Sequence, residues 1–171
     1  MNGLTAEVGY VSLIKKGEEL CGDRVETVRF EDSTTLVLAD GLGSGVKANI
    51  LSTLTSKIIA TMMASGMPVE ECVRTVTRTL PICKVRKVAY STFTVMQVNH
   101  QDEMTLLQFD NPSVILLRGG VSIHYPQEEL VIDGKKVIKS VVKVKPNDIF
   151  LTMSDGALYA GVGTHPPHRL E

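Results

Sequence analysis

Cysteine is scarce in this chain of 171 residues, which has only three, at positions 21, 72 and 83. An odd number at these spacings fits neither a disulfide framework nor a zinc site. Three reduced cysteines are typical of a cytosolic protein, and we therefore expect a cytoplasmic location. Cys21 has no neighbouring histidine or basic residue to activate its thiol, so we expect no catalytic role for it.

An excess of charge and a long apolar run are also missing. The formal net charge of −1 gives no electrostatic reason to expect nucleic acid or an anionic lipid surface as a partner. No apolar run approaches the roughly 18 residues of a membrane span. These absences leave a single globular domain over residues 1–171, which is long enough to bury a sizeable core.

Several familiar catalytic and binding motifs are absent as well. No Ser-His-Asp arrangement is evident, and the pair His165 and His168 flanks two prolines, which forbids a shared helix face and favours a solvated tail. The glycine-rich stretch Gly41–Gly45 lacks the Lys-Ser/Thr ending of a phosphate-binding loop. Asp40 at its head would repel phosphate, so nucleotide binding is a distant alternative.

Two Asp-Gly pairs each follow an apolar run, at Asp40–Gly41 and at Asp155–Gly156. A carboxylate at the end of a buried strand is costly unless a cation or a hydrogen-bond donor meets it there. The glycine permits a tight turn and frees a carbonyl to face the same place. Carboxylate and carbonyl oxygens form the ligand shell that Mg²⁺ and Mn²⁺ prefer. The alternative is that Asp-Gly is simply a common turn dipeptide; Asp23, taken alone, has the pattern of a surface turn residue.

The periodicity predicts strands, then two helices, then further strands. The predicted strands are 6–14, 25–30, 34–39, 92–98, 103–109, 113–117, 121–124, 136–144 and 149–153. A first helix follows Gly45, with Ser44 as its expected cap, and its predicted core stripe is Val46, Ile50, Leu51, Leu54, Ile58 and Met62. A second helix begins at Pro68, with its apolar side formed by Val69, Cys72, Val73, Val76 and Leu80. This order is not a βαβ rhythm and favours an α+β fold with antiparallel sheets.

Taken together, these segments resemble the metal-dependent Ser/Thr protein phosphatases of the PPM family, in particular the bacterial SpoIIE-like branch. The likeness spans most of the chain, and its two specific motifs are the Asp40 segment and the late Ser154–Asp155–Gly156 segment. The weaker matches are Cys21–Gly22–Asp23, Ser91–Thr92–Phe93–Thr94, Asp110–Asn111–Pro112–Ser113 and Ile115–Leu116–Leu117–Arg118–Gly119–Gly120.

The resemblance implies a four-layer αββα sandwich with two Mn²⁺ or Mg²⁺ ions at one end of the sheets. In the family, the match to Asp40 bridges both ions and the carbonyl matching Gly41 binds one of them. The match to Asp23 holds the second ion and the match to Asp155 the first. A water between the ions attacks the phosphoserine or phosphothreonine phosphorus, so no protein side chain acts as nucleophile. The implied partner is a phosphoprotein, such as a stress- or sporulation-type bacterial regulator.

One departure from the family pattern concerns the end of the chain. The family has a further C-terminal strand with a metal-binding aspartate, and residues 156–171 contain no aspartate. Either the chain is cut short and lacks that strand, which would leave a sheet edge unpaired, or the metal shell is incomplete. The second case motivates an alternative function, a weak or inactive phosphatase-like binding module.

Overall fold

A computed structural model of the protein describes residues 4–79 and 91–160. Six strands form one antiparallel sheet in the order β1-β2-β3-β4-β8-β7. Its strands are β1 (Asp23–Phe30), β2 (Ser33–Gly41), β3 (Ser91–Val98), β4 (Glu103–Phe109), β7 (Glu128–Ile132) and β8 (Lys135–Lys143). Two helices, α1 (Gly45–Ala64) and α2 (Val69–Thr79), lie between β2 and β3 in the chain.

A second antiparallel sheet has three strands in the order β6-β5-β9. They are β5 (Ile115–Arg118), β6 (Val121–Ile123) and β9 (Ile149–Leu151), and the four-residue helix α3 (Asp155–Leu158) follows β9. The expected α+β architecture of two antiparallel sheets with helices is therefore confirmed. In the described ranges, the two longer helices both pack on the six-stranded sheet.

The apolar strand β2 is buried on both faces, which explains its nearly continuous apolar sequence. Val37 and Ala39 join a core shared with α1 and α2. Leu36 and Leu38 point the other way, into a second core that includes Phe150 of β9. Since side chains alternate along a strand, Asp40 lies on the face that looks toward the second sheet.

The predicted core stripe of α1 is wrong over its first half. Val46, Ile50 and Leu54 are 55%, 60% and 50% exposed. The buried face instead carries mostly small and hydroxyl side chains, namely Gly45, Ala48, Ser52, Thr55, Ser56, Ile59, Ala60 and Met63. Small residues let the helix approach the sheet closely, so close packing rather than apolar character selects this face. The second predicted stripe is confirmed at Val69, Cys72, Val73 and Val76.

The predicted first strand, residues 6–14, is also wrong. This segment pairs with no strand in the described parts of the chain, and Val11 and Leu13 are 88% and 82% exposed. Alternation alone does not make a strand, because the backbone also needs a partner edge.

Ser44 precedes α1 but makes no capping bond; its hydroxyl donates to Glu18 Oε1 at 2.6 Å instead.

Strand β7 was not predicted from the sequence. β7 pairs with β8 through the turn at Asp133–Gly134, where both residues have positive φ, and Asp-Gly is a recognised hairpin signal that could have revealed it. Leu80, Cys83, His165 and His168 lie outside the described residues. Within 4–79 and 91–160, no helix has the length and apolar character that crossing a membrane requires.

Candidate metal centre

Asp23 and Asp40 are brought together by the hairpin of β1 and β2. The strand register places the two residues directly opposite each other. Residues opposite each other in an antiparallel pair project from the same face, so both carboxylates lie on the side that looks toward the second sheet. The short turn between the strands fixes this register, and with it the pairing of the two aspartates.

Asp155 reaches the same place from the second sheet. It is the first residue of α3, four positions beyond the last paired residue of β9 at Leu151. The preceding residue, Ser154, is 7% exposed and donates its hydroxyl to Asp23 Oδ2 at 2.7 Å. This bond joins residues 131 positions apart and connects the end of the second sheet to β1 beside the carboxylates.

The electrostatics of Asp40 show that the three carboxylates are close neighbours. The pKa of Asp40 is raised to about 8; burial is the largest cause, and the negative charges of Asp23 and Asp155 contribute to the same rise. Hydrogen bonds with the same two carboxylates act in the same direction, because they favour the protonated form. A bound cation would relieve this mutual repulsion.

Gly41 lies in a space that admits no side chain. A Cβ at this position would lie 1.9 Å from the backbone oxygen of Ala48 in α1. Its amide donates to the Gly22 carbonyl at 3.1 Å, and the Ser91 hydroxyl donates to the Asp40 carbonyl at 3.0 Å. Glycine is therefore required at position 41 by the close approach of helix and strand.

The donor set fits a hard divalent cation in its chemistry. Asp23, Asp40 and Asp155 offer only oxygen ligands, which are the ligands Mg²⁺ and Mn²⁺ select. The side chains are not preassembled: across the described residues, no three His, Cys, Asp or Glu groups are already arranged to hold one ion. Asp23 and Asp155 lie beside Asp40 and repel its negative charge. To hold one ion together, the three carboxylates would have to shift.

Two polar links near the aspartates were not predicted from the sequence. One is the Ser154–Asp23 bond. The other is a chain from Thr92, which lies opposite Asp40 on β3, to Asn111 and on to Thr94. Serine, threonine and asparagine are too common in turns for either link to stand out without the fold.

Comparison with protein families gives one match that covers most of the chain. The model of the family described as stage II sporulation protein E (SpoIIE) matches residues 31–165. The matched range includes Asp40 and Asp155 and begins after Asp23. A search of curated protein sequences gives no significant match.

Three solved structures illustrate the shared fold. The PP2C phosphatase domain with a regulatory fragment of SpoIIE from Bacillus subtilis has a TM-score of 0.77 at 21% identity; the match covers 92% of this chain and 48% of that one. RsbX in complex with magnesium has a TM-score of 0.66 at 23% identity, over 85% of this chain and 72% of RsbX. The RsbU and RsbW domains of a Mycobacterium tuberculosis protein have a TM-score of 0.67 at 17% identity, over 84% and 41%. The chain thus spans about half the length of the SpoIIE structure that it matches.

Proposed function

The chain belongs to the SpoIIE family, and on that premise we propose that it is a metal-dependent protein serine/threonine phosphatase. Its fold is that of PP2C phosphatase domains. The reaction is hydrolysis of a phosphoserine or phosphothreonine ester by direct attack of water, without a covalent enzyme intermediate. The proposed ligands of Mn²⁺ or Mg²⁺ are Asp23, Asp40, Asp155 and the carbonyl of Gly41.

The observation that carries the proposal is the meeting of three carboxylates at Asp40. Asp23 and Asp155 both raise the pKa of Asp40, although they come from different sheets and distant parts of the sequence. Burial of a carboxylate against two others is unfavourable for stability alone. A divalent cation supplies the compensating charge, and such an arrangement is expected where a protein binds one.

The protein's own groups have separate tasks in this proposal. Asp40, which neighbours both other carboxylates, would hold the metal together with Asp23 and Asp155, and Ser154 fixes the orientation of Asp23 through its hydrogen bond. Gly41 lets the strand end turn beneath α1. When bound, the metal lowers the pKa of water and stabilises negative charge on the phosphoryl oxygens.

The proposed substrate is a phosphorylated bacterial regulatory protein of the stress or sporulation type. Support comes from the family and from the presence of RsbU and RsbW domains in one structure of similar fold. A net charge of −1 gives no general attraction toward a polyanion, so recognition of the phosphoprotein is expected to depend on local contacts.

A second candidate function is a phosphatase-like binding module with little or no turnover. It is favoured by one observation, that the described His, Cys, Asp and Glu side chains are not arranged in advance to hold an ion. A module of this kind would bind a phosphoprotein without releasing phosphate, whereas the proposed enzyme would release it.

Hydrolysis of an aryl phosphate with and without Mn²⁺ tests the proposal. We expect hydrolysis that depends on Mn²⁺ or Mg²⁺, stops with a chelator and is abolished in Asp40→Asn. The matched control is Asp32→Asn, which makes the same change at an exposed turn residue. Activity that does not depend on metal, or that is unchanged in Asp40→Asn, would contradict the metal-dependent mechanism.

A further inference from the structure

The chain passes from the six-stranded sheet to the three-stranded sheet through residues 110–114. This crossing segment begins after Phe109 at the end of β4 and ends before Ile115 at the start of β5. Asp110 has φ of 51° and turns the chain out of the first sheet. The crossing therefore occurs at the end of the sheets where the three aspartates lie, since Phe109 pairs with Phe93, the neighbour of Thr92.

The side chain of Asn111 fastens this crossing segment to β3. Thr92 Oγ1 donates to Asn111 Oδ1 at 3.2 Å, and Asn111 Nδ2 donates to Thr94 Oγ1 at 3.0 Å. Thr92 lies opposite Asp40 on the neighbouring strand. Thr94 is fully buried, so its hydrogen bond with Asn111 is protected from competition by water.

The other end of the crossing segment is also held by polar side chains. Gln108, which is 3% exposed, accepts a hydrogen bond at its Oε1 from the Val114 amide at 2.7 Å. The hydroxyl of Tyr125 donates to the Val114 carbonyl. Both ends of the crossing are therefore fixed, and the direction in which β5 leaves the first sheet is set.

The position of β5 determines the position of Asp155. Ile115, the first residue of β5, pairs with Leu151, the last residue of β9. Asp155 follows β9 after a short connection and meets Asp40 across the gap between the sheets. A shift of the crossing segment is thus transmitted to Asp155 through a single strand pair.

We propose that Asn111 is a positioning residue for the metal centre. Its two bonds to β3 hold the second sheet in the register at which Asp155 meets Asp23 and Asp40. The inference rests on the proposed function, because it assigns Asn111 a role in the affinity of that centre for a divalent cation.

Calorimetric titration with Mn²⁺, at a temperature where every variant is folded by circular dichroism, measures this role directly. Asn111→Ala removes both bonds, and we expect Mn²⁺ to bind about tenfold more weakly, the effect of losing roughly one well-made hydrogen bond. Thr94→Val, which keeps the side-chain volume, removes one bond. Its effect should be smaller than that of Asn111→Ala and should vanish in the Asn111→Ala background.

Asn111→Asp is the rescuing variant. Both threonine hydroxyls can rotate to donate to its carboxylate, so both bonds to β3 are kept and Mn²⁺ affinity should be retained. Ser113→Asp adds the same charge to the same segment at an exposed position and therefore measures the effect of charge alone.

The outcomes separate the two proposals. Unchanged Mn²⁺ affinity in Asn111→Ala, with wild-type binding intact, overturns the positioning role and leaves the proposed function in place. Asn111→Asp as weak as Asn111→Ala, while Ser113→Asp binds normally, overturns it as well. A wild-type protein that binds no Mn²⁺ overturns the proposed function, and the positioning role falls with it.

Discussion

Gly41 and Gly156 each follow an aspartate of the candidate centre, yet their surroundings differ. A Cβ at Gly41 would overlap the Ala48 carbonyl, whereas a Cβ at Gly156 would meet only Ser154 Oγ, at 3.9 Å. The first glycine is required by packing, and the second is not. The two Asp-Gly pairs are identical as dipeptides, so only the packing of α1 against β2 distinguishes them.

We predict that Gly41→Ala lowers the free energy of unfolding by about 1–3 kcal/mol or more, because backbone atoms must separate to admit the methyl group. Gly156→Ala, the matched control, should leave stability equal or raise it by up to about 1 kcal/mol, since alanine favours the helix α3. Urea unfolding of the two variants checks this. Equal loss in both would show that helix α1 does not press on Gly41.

Ser154 is the residue that joins the two sheets at the aspartates. Replacing it with alanine leaves Asp23 without its 2.7 Å donor, and we expect a loss of about 1–3 kcal/mol in the free energy of unfolding. Ser113→Ala, at an exposed position of the crossing segment, should have almost no effect. Indistinguishable urea midpoints for wild type and Ser154→Ala would contradict this role.

At the scale of single residues, sequence reasoning found the aspartates but missed the groups that orient them. Asp40 and Asp155 stand out because each ends an apolar run before glycine. Ser154 and Asn111 do not stand out, because their partners lie 131 residues away and, for Asn111, 17 and 19 residues away. Such pairings follow from strand register and sheet crossing, which local pattern does not encode.

In helix α1, several large apolar side chains are exposed while small and hydroxyl side chains are buried. Ile50 is 60% exposed, whereas Ile59 on the same helix is fully buried. The small residues of the buried face bring the helix close to β1 and β2, which is also what places the Ala48 carbonyl beside Gly41. The pattern of large apolar residues therefore predicted the helix correctly and its core face incorrectly.

The same substitution at these two isoleucines should give opposite results. We expect Ile59→Ala to cost about 2–5 kcal/mol in the free energy of unfolding, as a cavity forms in the core. Ile50→Ala should change it by less than about 0.5 kcal/mol, as at other exposed positions. Thermal unfolding of both variants decides the matter, and a large loss in Ile50→Ala would mean that the exposed stripe is covered in solution.

The connection before β9 is held by an ion pair whose strength depends on pH. Arg118 on β5 donates to both oxygens of Asp148, at 2.8 and 2.7 Å, and also to the Lys143 carbonyl at the end of β8. The hydrogen bonds from Arg118 are the main cause that holds the pKa of Asp148 below its ordinary value. The additional bond to the Lys143 carbonyl links Arg118, and with it the second sheet, to the first sheet.

A carboxyl group whose pKa is lowered by folding stabilises the protein above its unfolded pKa and loses that effect as the pH falls through its folded pKa. Wild type should therefore exceed Asp148→Asn in stability at pH 7, and the difference should shrink below about pH 4, where carboxyl groups normally titrate. Urea midpoints at several pH values measure the difference. A difference that stays constant with pH would exclude the ion pair as its source.

The candidate centre is a property of the whole molecule, because its proposed ligands come from both sheets and from distant parts of the sequence. Antiparallel strands and central helices could be predicted from alternation and helical spacing, and the α+β class followed from their order. The pairing order of β4 with β8 and of β5 with β9 could not, since it depends on which edges remain free after the sheet forms. Residues 6–14 illustrate the limit, because their alternation predicts a strand and the described chain offers them no edge.

Release of inorganic phosphate from a phosphoserine peptide, followed while Mn²⁺ is titrated, tests the central claim most directly. We predict that wild type releases phosphate with a rate that rises and saturates with Mn²⁺. Asp40→Asn should remain folded and release none at the same Mn²⁺ concentrations. Phosphate release by Asp40→Asn at the wild-type rate, or no release by wild type at saturating Mn²⁺, would contradict the account.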